Sequence, residues 1–587
     1  MAKHILERGE HPVFYYGSAY GGSLEPHYVA AVFAVIGNTP TSYRIAMGGL
    51  VLLILLGVYL LTREAFGSLA AILALAYLAV PPFFFLYKGL TSDGHYNAFD
   101  LFTIGVLLLC LRIENTPSHG RDLRLLFAAL GLVIGLGWWI NPITPVISVA
   151  AILWLFLRRN PRPAIRNTAL MLAGFLVGSA PWTIWNLRHR WSSLASPELG
   201  SVDAVGALRN LGKLVVRSLP LLAGGARLRV ANFRDTFPLS GFVVGAVLLV
   251  VLVPVLRQVF RGDRPARLLV LAFGVLVATV VWSLRFDPTE PRVLFPYYVL
   301  VPPLIGAGLA WYVRRNRAKL VAAACTGILI CAHAFSSAVE HRHIQNTPTE
   351  VTASLGDLLS VLERSRVRHV YTDYWTAYRV SFETNERIIA TPIPGDEAVR
   401  YPAYQEQVAN DPSAAIVVRG PRAVCLERYL QEAGLPNRRI VVQPFTVFAD
   451  LPSSVLTFVG SKGGLPLPME AYRVEWAIDL QPREIRRGST FTERVAFRNT
   501  SSCSWPHAVH VGYHWRALEP GLPEIRDGGR YFPDQSIAPG ETVAATVALV
   551  SPSLPGRYAL EFDLVFENVA WFSSRGGSTA TIPVLVR

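Results

Sequence analysis

The residues best placed to do chemistry fall in three short polar segments between long apolar runs. The first is residues 20–28, YGGSLEPHY. Here Glu25 precedes an apolar helical run, with Pro26 at a favoured first helical position. A carboxylate there can position an acceptor group or help bind a divalent metal ion; it can equally be a first-turn acid stabilised by the helix dipole. The second is residues 88–96, where Lys88, Asp93 and His95 lie within eight residues. A lysine can neutralise a phosphate, and Asp93 and His95 can each act as a base or metal ligand. The alternative is a solvated hairpin with Asp93 as a helix cap. The third is Asp287-Pro288-Thr289-Glu290-Pro291-Arg292, ahead of Tyr297 and Tyr298. Arg292 is expected at lipid-headgroup level beside these tyrosines, where it can bind phosphate or simply snorkel. A fourth segment, Trp138-Trp139-Ile140-Asn141-Pro142, reads as an aromatic belt followed by a tight re-entry.

The elements that must hold these segments are membrane helices. Of the 587 residues, 52% are apolar and only 16% charged, where a soluble protein carries about a quarter. The imbalance is confined to the part before about residue 340. Ten candidate spans can be drawn there: 44–62, 68–86, 97–112, 124–140, 143–157, 168–187, 239–257, 268–284, 294–312 and 319–338. The arginines then orient them. Arg112, Arg121 and Arg124 share a loop, as do Arg158, Arg159, Arg162 and Arg166. So do Arg257, Arg261, Arg264 and Arg267, and again Arg314, Arg315, Arg317 and Lys319. All four loops fall on one side, which the positive-inside rule makes the cytoplasm. The net charge of +14 is therefore a topology signal and argues against nucleic-acid binding. The same registration puts residues 1–43 and everything after 340 outside. The first residues carry no apolar leader, so the expectation is that a further membrane helix lies upstream.

After residue 340 the sequence is ordinary soluble sequence. Residues 347–460 alternate helix and strand patterns and read as a small extracytoplasmic α/β domain without a nucleotide-binding motif. Residues 468–587 hold about seven strand-like runs separated by turn signals, which predicts an all-β, immunoglobulin-like sandwich. Trp505, Trp515 and Trp571 read as packing residues there, with sugar stacking as the sharper alternative. Cys110, Cys325 and Cys331 sit in apolar runs; Cys425 and Cys503 fall one in each soluble domain, where a bridge between them is an open alternative that their spacing does not suggest.

Residues 11–37, GLGWWINP (135–142) and FDPTEPRVLFPYY (286–298) resemble the GT-C superfamily of polytopic glycosyltransferases. The nearest kind are bacterial family 39-type proteins, the protein-mannosyltransferases and aminoarabinose transferases. The resemblance covers about residues 1–340, with 1–43 as the first external loop region and 44–340 as the GT-C-like transmembrane domain. YTDYWTAYRVSF (371–382) also resembles the extracytoplasmic region of bacterial members. The resemblance implies a polyprenyl-phosphate sugar donor, an inverting transfer at the outer face of the bacterial cytoplasmic membrane, and an envelope glycan, lipid or protein as acceptor. It also implies catalytic roles for Glu25 and Asp93 and a donor-phosphate contact from Arg292; by residue type and position, Lys88, His95 and Tyr297 are the further substrate-binding candidates. The family's first external loop carries an Asp just after the first membrane helix. No Asp precedes Glu25 here, and Glu7 and Glu10 do not match the pattern, in keeping with the expected upstream helix. Two other readings are a transporter or flippase of lipid-linked saccharides and an inactive envelope-assembly scaffold. Against the first, no internal repeat is visible and the polar residues gather at one face.

Overall fold

The computed structural model describes residues 1–91, 95–117, 120–141, 143–157, 162–195, 201–228, 239–284, 286–315, 318–346, 355–395, 398–478, 481–531 and 536–587. The chain divides into two units, Met1–Thr347 and Pro348–Arg587.

The first unit is helical. Among the described residues, six helices are long and apolar enough to cross a membrane: Pro40–Phe66, Tyr96–Asn115, Arg121–Ile140, Gly241–Phe260, Arg264–Val281 and Lys319–Asn346. Two more candidate spans are bent pairs, Ser68–Leu78 with Phe83–Gly89 at 85° and Ile165–Gly178 with Ala180–Arg188 at 65°. The remaining expected spans are the shorter apolar helices Thr144–Phe156 and Tyr297–Val313. The local causes are legible. Thr39 caps Pro40–Phe66, its side chain accepting from the Ser42 N–H, and Pro40 occupies the first turn. The 85° bend falls at Pro81-Pro82, which cannot donate backbone hydrogen bonds and block continuation of the helix. That break swings Phe83–Gly89 aside and aims Lys88 inward.

The short helix Tyr297–Val313 is the centre of the bundle, with every residue from Tyr297 to Ala310 buried. It lets neighbours approach to backbone distance. A Cβ added at Gly306 would lie 2.2 Å from the Ala70 carbonyl oxygen, and one at Gly308 2.0 Å from that of Val251. Arg121–Ile140 and Arg162–Gly178 approach as closely, through Gly131 and Gly135 on one helix and Gly174 and Gly178 on the other.

The second unit holds two parts. In the α/β part the sheet order is β2-β1-β3-β5-β4, with β1 His369–Thr372, β2 Ile389–Pro392, β3 Ala415–Arg419, β4 Arg438–Val442 and β5 Phe445–Ala449. β1 runs parallel to β2 and β3; β5 is antiparallel to both its neighbours. β1 stops at Thr372 because the Asp373 side chain accepts from the Thr376 N–H and starts the helix Tyr374–Glu383.

The all-β part is two sheets over one core. One is β10-β8-β6, built from Thr542–Val550, Thr490–Asn499 and Val474–Ala477; the other is β12-β11-β13-β7, built from Ala570–Trp571, Gly556–Phe566, Ala580–Val586 and Arg483–Ile485, with β9 Val509–Ala517 also paired to β11. Val495 and Phe497 of β8 and Val547 and Leu549 of β10 share this core with Val511 and Trp515 of β9 and Phe562 and Leu564 of β11. Trp505 and Trp515 are fully buried, and their indole N–H groups donate to Ala471 and Val550 carbonyls. Trp571 is half-buried beneath the Arg530 guanidinium, 4.7 Å from the ring centre. Cys425 and Cys503 are bonded to one another, joining the α/β part to the β part across 78 residues with their Cα atoms 5.7 Å apart. Arg428 pairs with Glu470 beside that bridge.

Candidate active site

The site grows from the end of Arg121–Ile140. The Trp139 indole N–H donates to the Val13 carbonyl at 2.9 Å, and the Ile140 carbonyl accepts from the Gly22 N–H at 3.0 Å. A Cβ at Gly22 would stand 2.9 Å from the Trp139 carbonyl oxygen, so only glycine permits this approach. Asn141 turns the chain onward, its side-chain oxygen accepting from the Ile143 N–H. The Trp-Trp-Ile-Asn segment is thus the seat of the loop around residues 13–25.

That loop holds Glu25 in the first turn of Leu24–Ile36, with only 4% of its surface exposed. The Tyr15 hydroxyl donates to its carboxylate at 3.3 Å. Tyr15 also packs on the His95 ring, 5.5 Å between centroids, and Gly21 lies against the same imidazole. His95 is buried, stands at φ 60° as the residue that starts Tyr96–Asn115, and its Nδ1 has no partner among the described residues. Burial pushes this imidazole down to about 3, so it is neutral near pH 7.

From His95 the contacts run to the second loop. Asn97 donates to the Gly89 carbonyl at 2.8 Å, which fixes the end of Phe83–Gly89. The neighbouring Lys88 has no exposed side-chain surface, and its ammonium is paired with Glu290. Glu290 lies on a heavily tied strap. The Asp287 carboxylate accepts from the N–H and hydroxyl of Thr289, both at 2.7 Å. The Ser218 hydroxyl donates to the Pro288 carbonyl, and Asn210 donates to the Val281 and Ser283 carbonyls. The first loop, the second loop and this strap therefore hold Glu25, His95, Lys88 and Glu290 in one connected set.

Other expected residues lie differently. Asp93 is outside the described residues. Arg292 is exposed, on a single 3₁₀ turn Arg292–Leu294. Tyr297 and Tyr298, by contrast, are buried. Tyr297 is buried with its hydroxyl 3.5 Å from that of Tyr77, and the Tyr298 hydroxyl donates to the Leu222 carbonyl at 3.0 Å. The aromatic pair faces inward because its helix is the bundle centre. No three His, Cys, Asp or Glu side chains among the described residues converge as metal ligands do.

Sequence reasoning passed over three acids. Glu290 lies in the Asp287–Arg292 segment, where sequence alone does not show its partner. Asp100 is completely buried within electrostatic reach of Tyr298, and neither carboxyl oxygen has a hydrogen-bond partner among the described residues. Its signal was plain: a lone carboxyl in the apolar run after Tyr96. Glu340 accepts from the Leu228 N–H at 2.9 Å and lies 3.7 Å from Arg227. About two turns earlier on the same helix, His333 faces two carbonyls left open by helix ends, Val80 at 2.8 Å and Ala223 at 3.0 Å.

Comparison with known proteins agrees with this architecture. The family model described as dolichyl-phosphate-mannose-protein mannosyltransferase matches residues 24–185, a window that includes Glu25, Lys88 and His95. The crystal structure of ArnT from Cupriavidus metallidurans in the apo state is similar at TM-score 0.55 and 12% identity, over 77% of this chain and 92% of that one. ArnT from the same organism bound to undecaprenyl phosphate is similar at TM-score 0.51 and 13% identity, with the same coverages of 77% and 92%. At such identities the likeness is one of fold. No curated protein matches the sequence significantly. The comparisons therefore make residues 24–185 similar to the mannosyltransferase family model, and give the chain a helical membrane-type fold like that of ArnT.

Proposed function

We propose that this protein transfers a sugar from a polyprenyl-phosphate donor to an envelope glycan, lipid or protein at the outer face of the cytoplasmic membrane. The observation that carries the reading is a pair of opposite charges withdrawn from water on adjoining loops: the Glu25 carboxylate, touched by Tyr15, and the Lys88 ammonium. Buried ionisable groups in a membrane protein are costly unless a function retains them.

The chemistry follows from the two groups. An acceptor hydroxyl attacks the anomeric carbon while the bond to the donor phosphate breaks. The hydroxyl proton passes to a carboxylate, for which Glu25 is the described candidate and Asp93 the second by sequence. The phosphate takes the electron pair of the broken bond, and a preorganised cation stabilises the developing charge without reorganising. Lys88 supplies that cation. Neutral His95 orders the loop through Tyr15 and adds no competing charge. ArnT crystallises with undecaprenyl phosphate, which supports a lipid-phosphate ligand for the shared fold.

The outward placement of the C-terminal unit is part of the proposal. The arginine-rich loops support it, and so does the Cys425–Cys503 bond, because disulfides persist in oxidising compartments. The test is turnover: purified full chain, a panel of polyprenyl-phosphate sugars and envelope acceptor extracts. Acceptor-dependent release of polyprenyl phosphate is expected. Its absence across the panel overturns the reading.

A further inference from the structure

We infer that Glu290 is a positioning residue that holds Lys88 in the empty site and gives it up when a phosphate arrives. The inference rests on the reading of Lys88 as the phosphate-binding cation. Lys88 has no exposed side-chain surface, whereas the Glu290 side chain keeps 14%. An ammonium so far from water is stable only beside a counter-charge. Glu290 supplies a counter-charge here.

The partner is not a local accident. It comes from 202 residues along the chain. The strap that carries it is fastened at four points: the Asp287 turn, Ser218 to Pro288, Asn210 to Val281 and Ser283, and the Val202 N–H to the Trp282 carbonyl at 3.0 Å. Such fastening fixes the backbone and leaves the glutamate side chain as the part that can move. Glu290 is also the more exposed of the two, so it has somewhere to go.

A phosphate entering beside Lys88 brings a further anion to a cation already paired with Glu290. Two anions on one buried cation repel, so phosphate and Glu290 compete. The exchange has two consequences. Lys88 is kept charged and aimed while the site is empty. Release of the polyprenyl phosphate product is assisted, because Glu290 returns to Lys88 as the phosphate leaves. No bond is made or broken; the pair only changes partner.

The competition predicts a result that a purely structural ion pair does not. Removing the carboxylate charge should tighten phosphate binding. Full-length Glu290→Gln should bind undecaprenyl phosphate in nanodiscs about tenfold more tightly than the wild type, at equal monodispersity. In turnover its KM should fall and its kcat should fall with it, as product leaves more slowly. Lys88→Met should weaken binding at least tenfold, and in that background Glu290→Gln should have no further effect. Glu290→Asp, which keeps the charge, should behave like the wild type.

A measurement on the unaltered chain stands beside these. Carbodiimide labelling of Glu290, read by mass spectrometry, should rise when undecaprenyl phosphate is added, because the carboxylate is released from Lys88. If Lys88→Met binds as the wild type does, both the reading of Lys88 and this inference fall. If Lys88→Met binds weakly but Glu290→Gln binds no tighter than the wild type, the inference alone falls. Unchanged Glu290 labelling on phosphate addition also overturns it.

Discussion

Substituting Gly131 and Gly174 tests the packing that supports the site's seat. Arg121–Ile140 and Arg162–Gly178 carry glycines four residues apart, Gly131 with Gly135 and Gly174 with Gly178. The small-residue face lets the two backbones touch, as close membrane-helix pairs do. A Cβ at Gly131 would lie 1.9 Å from the Met171 carbonyl oxygen; at Gly174, 2.2 Å from that of Ala128. Ordinary contact begins near 3.4 Å. The obstacles are backbone atoms, so no side chain can rotate away and the helices must part by more than an ångström. Overpacking of this kind costs roughly 1–3 kcal/mol per site. Gly274 and Gly327 are the controls: both are helical, and an added Cβ meets nothing within 4 Å. The assay is thermal unfolding of the detergent-purified full chain followed by size-exclusion chromatography. Gly131→Ala and Gly174→Ala should each lower the midpoint by several degrees, and Gly274→Ala and Gly327→Ala should not. Equal midpoints for all four refute the close-packing argument.

Three further outcomes follow from the described residues. Thiol counting by mass shift should find three reactive thiols in denatured, unreduced chain and five after reduction, since Cys425 and Cys503 are bonded while Cys110, Cys325 and Cys331 are free; five before reduction would contradict the bridge. Closing a 78-residue loop is worth up to about 4.5 kcal/mol in the chain-entropy account, so Cys503→Ser should lower the proteolytic resistance of the second unit markedly, and an unchanged digestion rate would deny the bridge a stabilising role. His95 has a folded pKa near 3, below its unfolded value of about 6.5. The unfolded chain therefore binds the proton first, and the His95 contribution is full above pH 6.5 and declines as pH falls towards 3. His95→Asn should flatten the loss of thermal stability between pH 6.5 and 4.5; an identical acid profile in both proteins would show that His95 is not the group responsible.

Much of the first unit was legible because a membrane span must be long and apolar, and each of the ten expected spans falls on a helix, a bent pair or a short apolar helix. What sequence pattern did not give was shape. The Pro81-Pro82 break, which aims Lys88 inward, reads in sequence only as a continuous run from 68 to 86. The central burial of Tyr297–Val313 was hidden for the opposite reason. Its aromatic start looks like an interfacial belt, and only the packing of Gly306 and Gly308 against neighbouring backbones shows it to be interior. In the second unit, RHVYTDY (368–374) reads in sequence as strand through Tyr374, because β-favouring tyrosines mask the capping role of Asp373. β7 Arg483–Ile485 and β12 Ala570–Trp571 are too short to leave a period-two signal. The Cys425–Cys503 bond joins residues far apart in sequence, so spacing carried no information about it. The acids Glu290, Asp100 and Glu340 were missed because a carboxylate's importance lies in its partner, and partners 202 residues away for Glu290 and 112 for Glu340 are set by the fold.

The central claim is that Glu25 and Lys88 belong to a glycosyl-transfer site. Its most direct test is acceptor-dependent release of polyprenyl phosphate from a polyprenyl-phosphate sugar by the full chain, compared with Glu25→Gln of equal thermal stability. The account predicts release by the wild type and a loss of at least about a hundredfold in kcat for Glu25→Gln, with the donor KM little changed. Release by Glu25→Gln at the wild-type rate would contradict it.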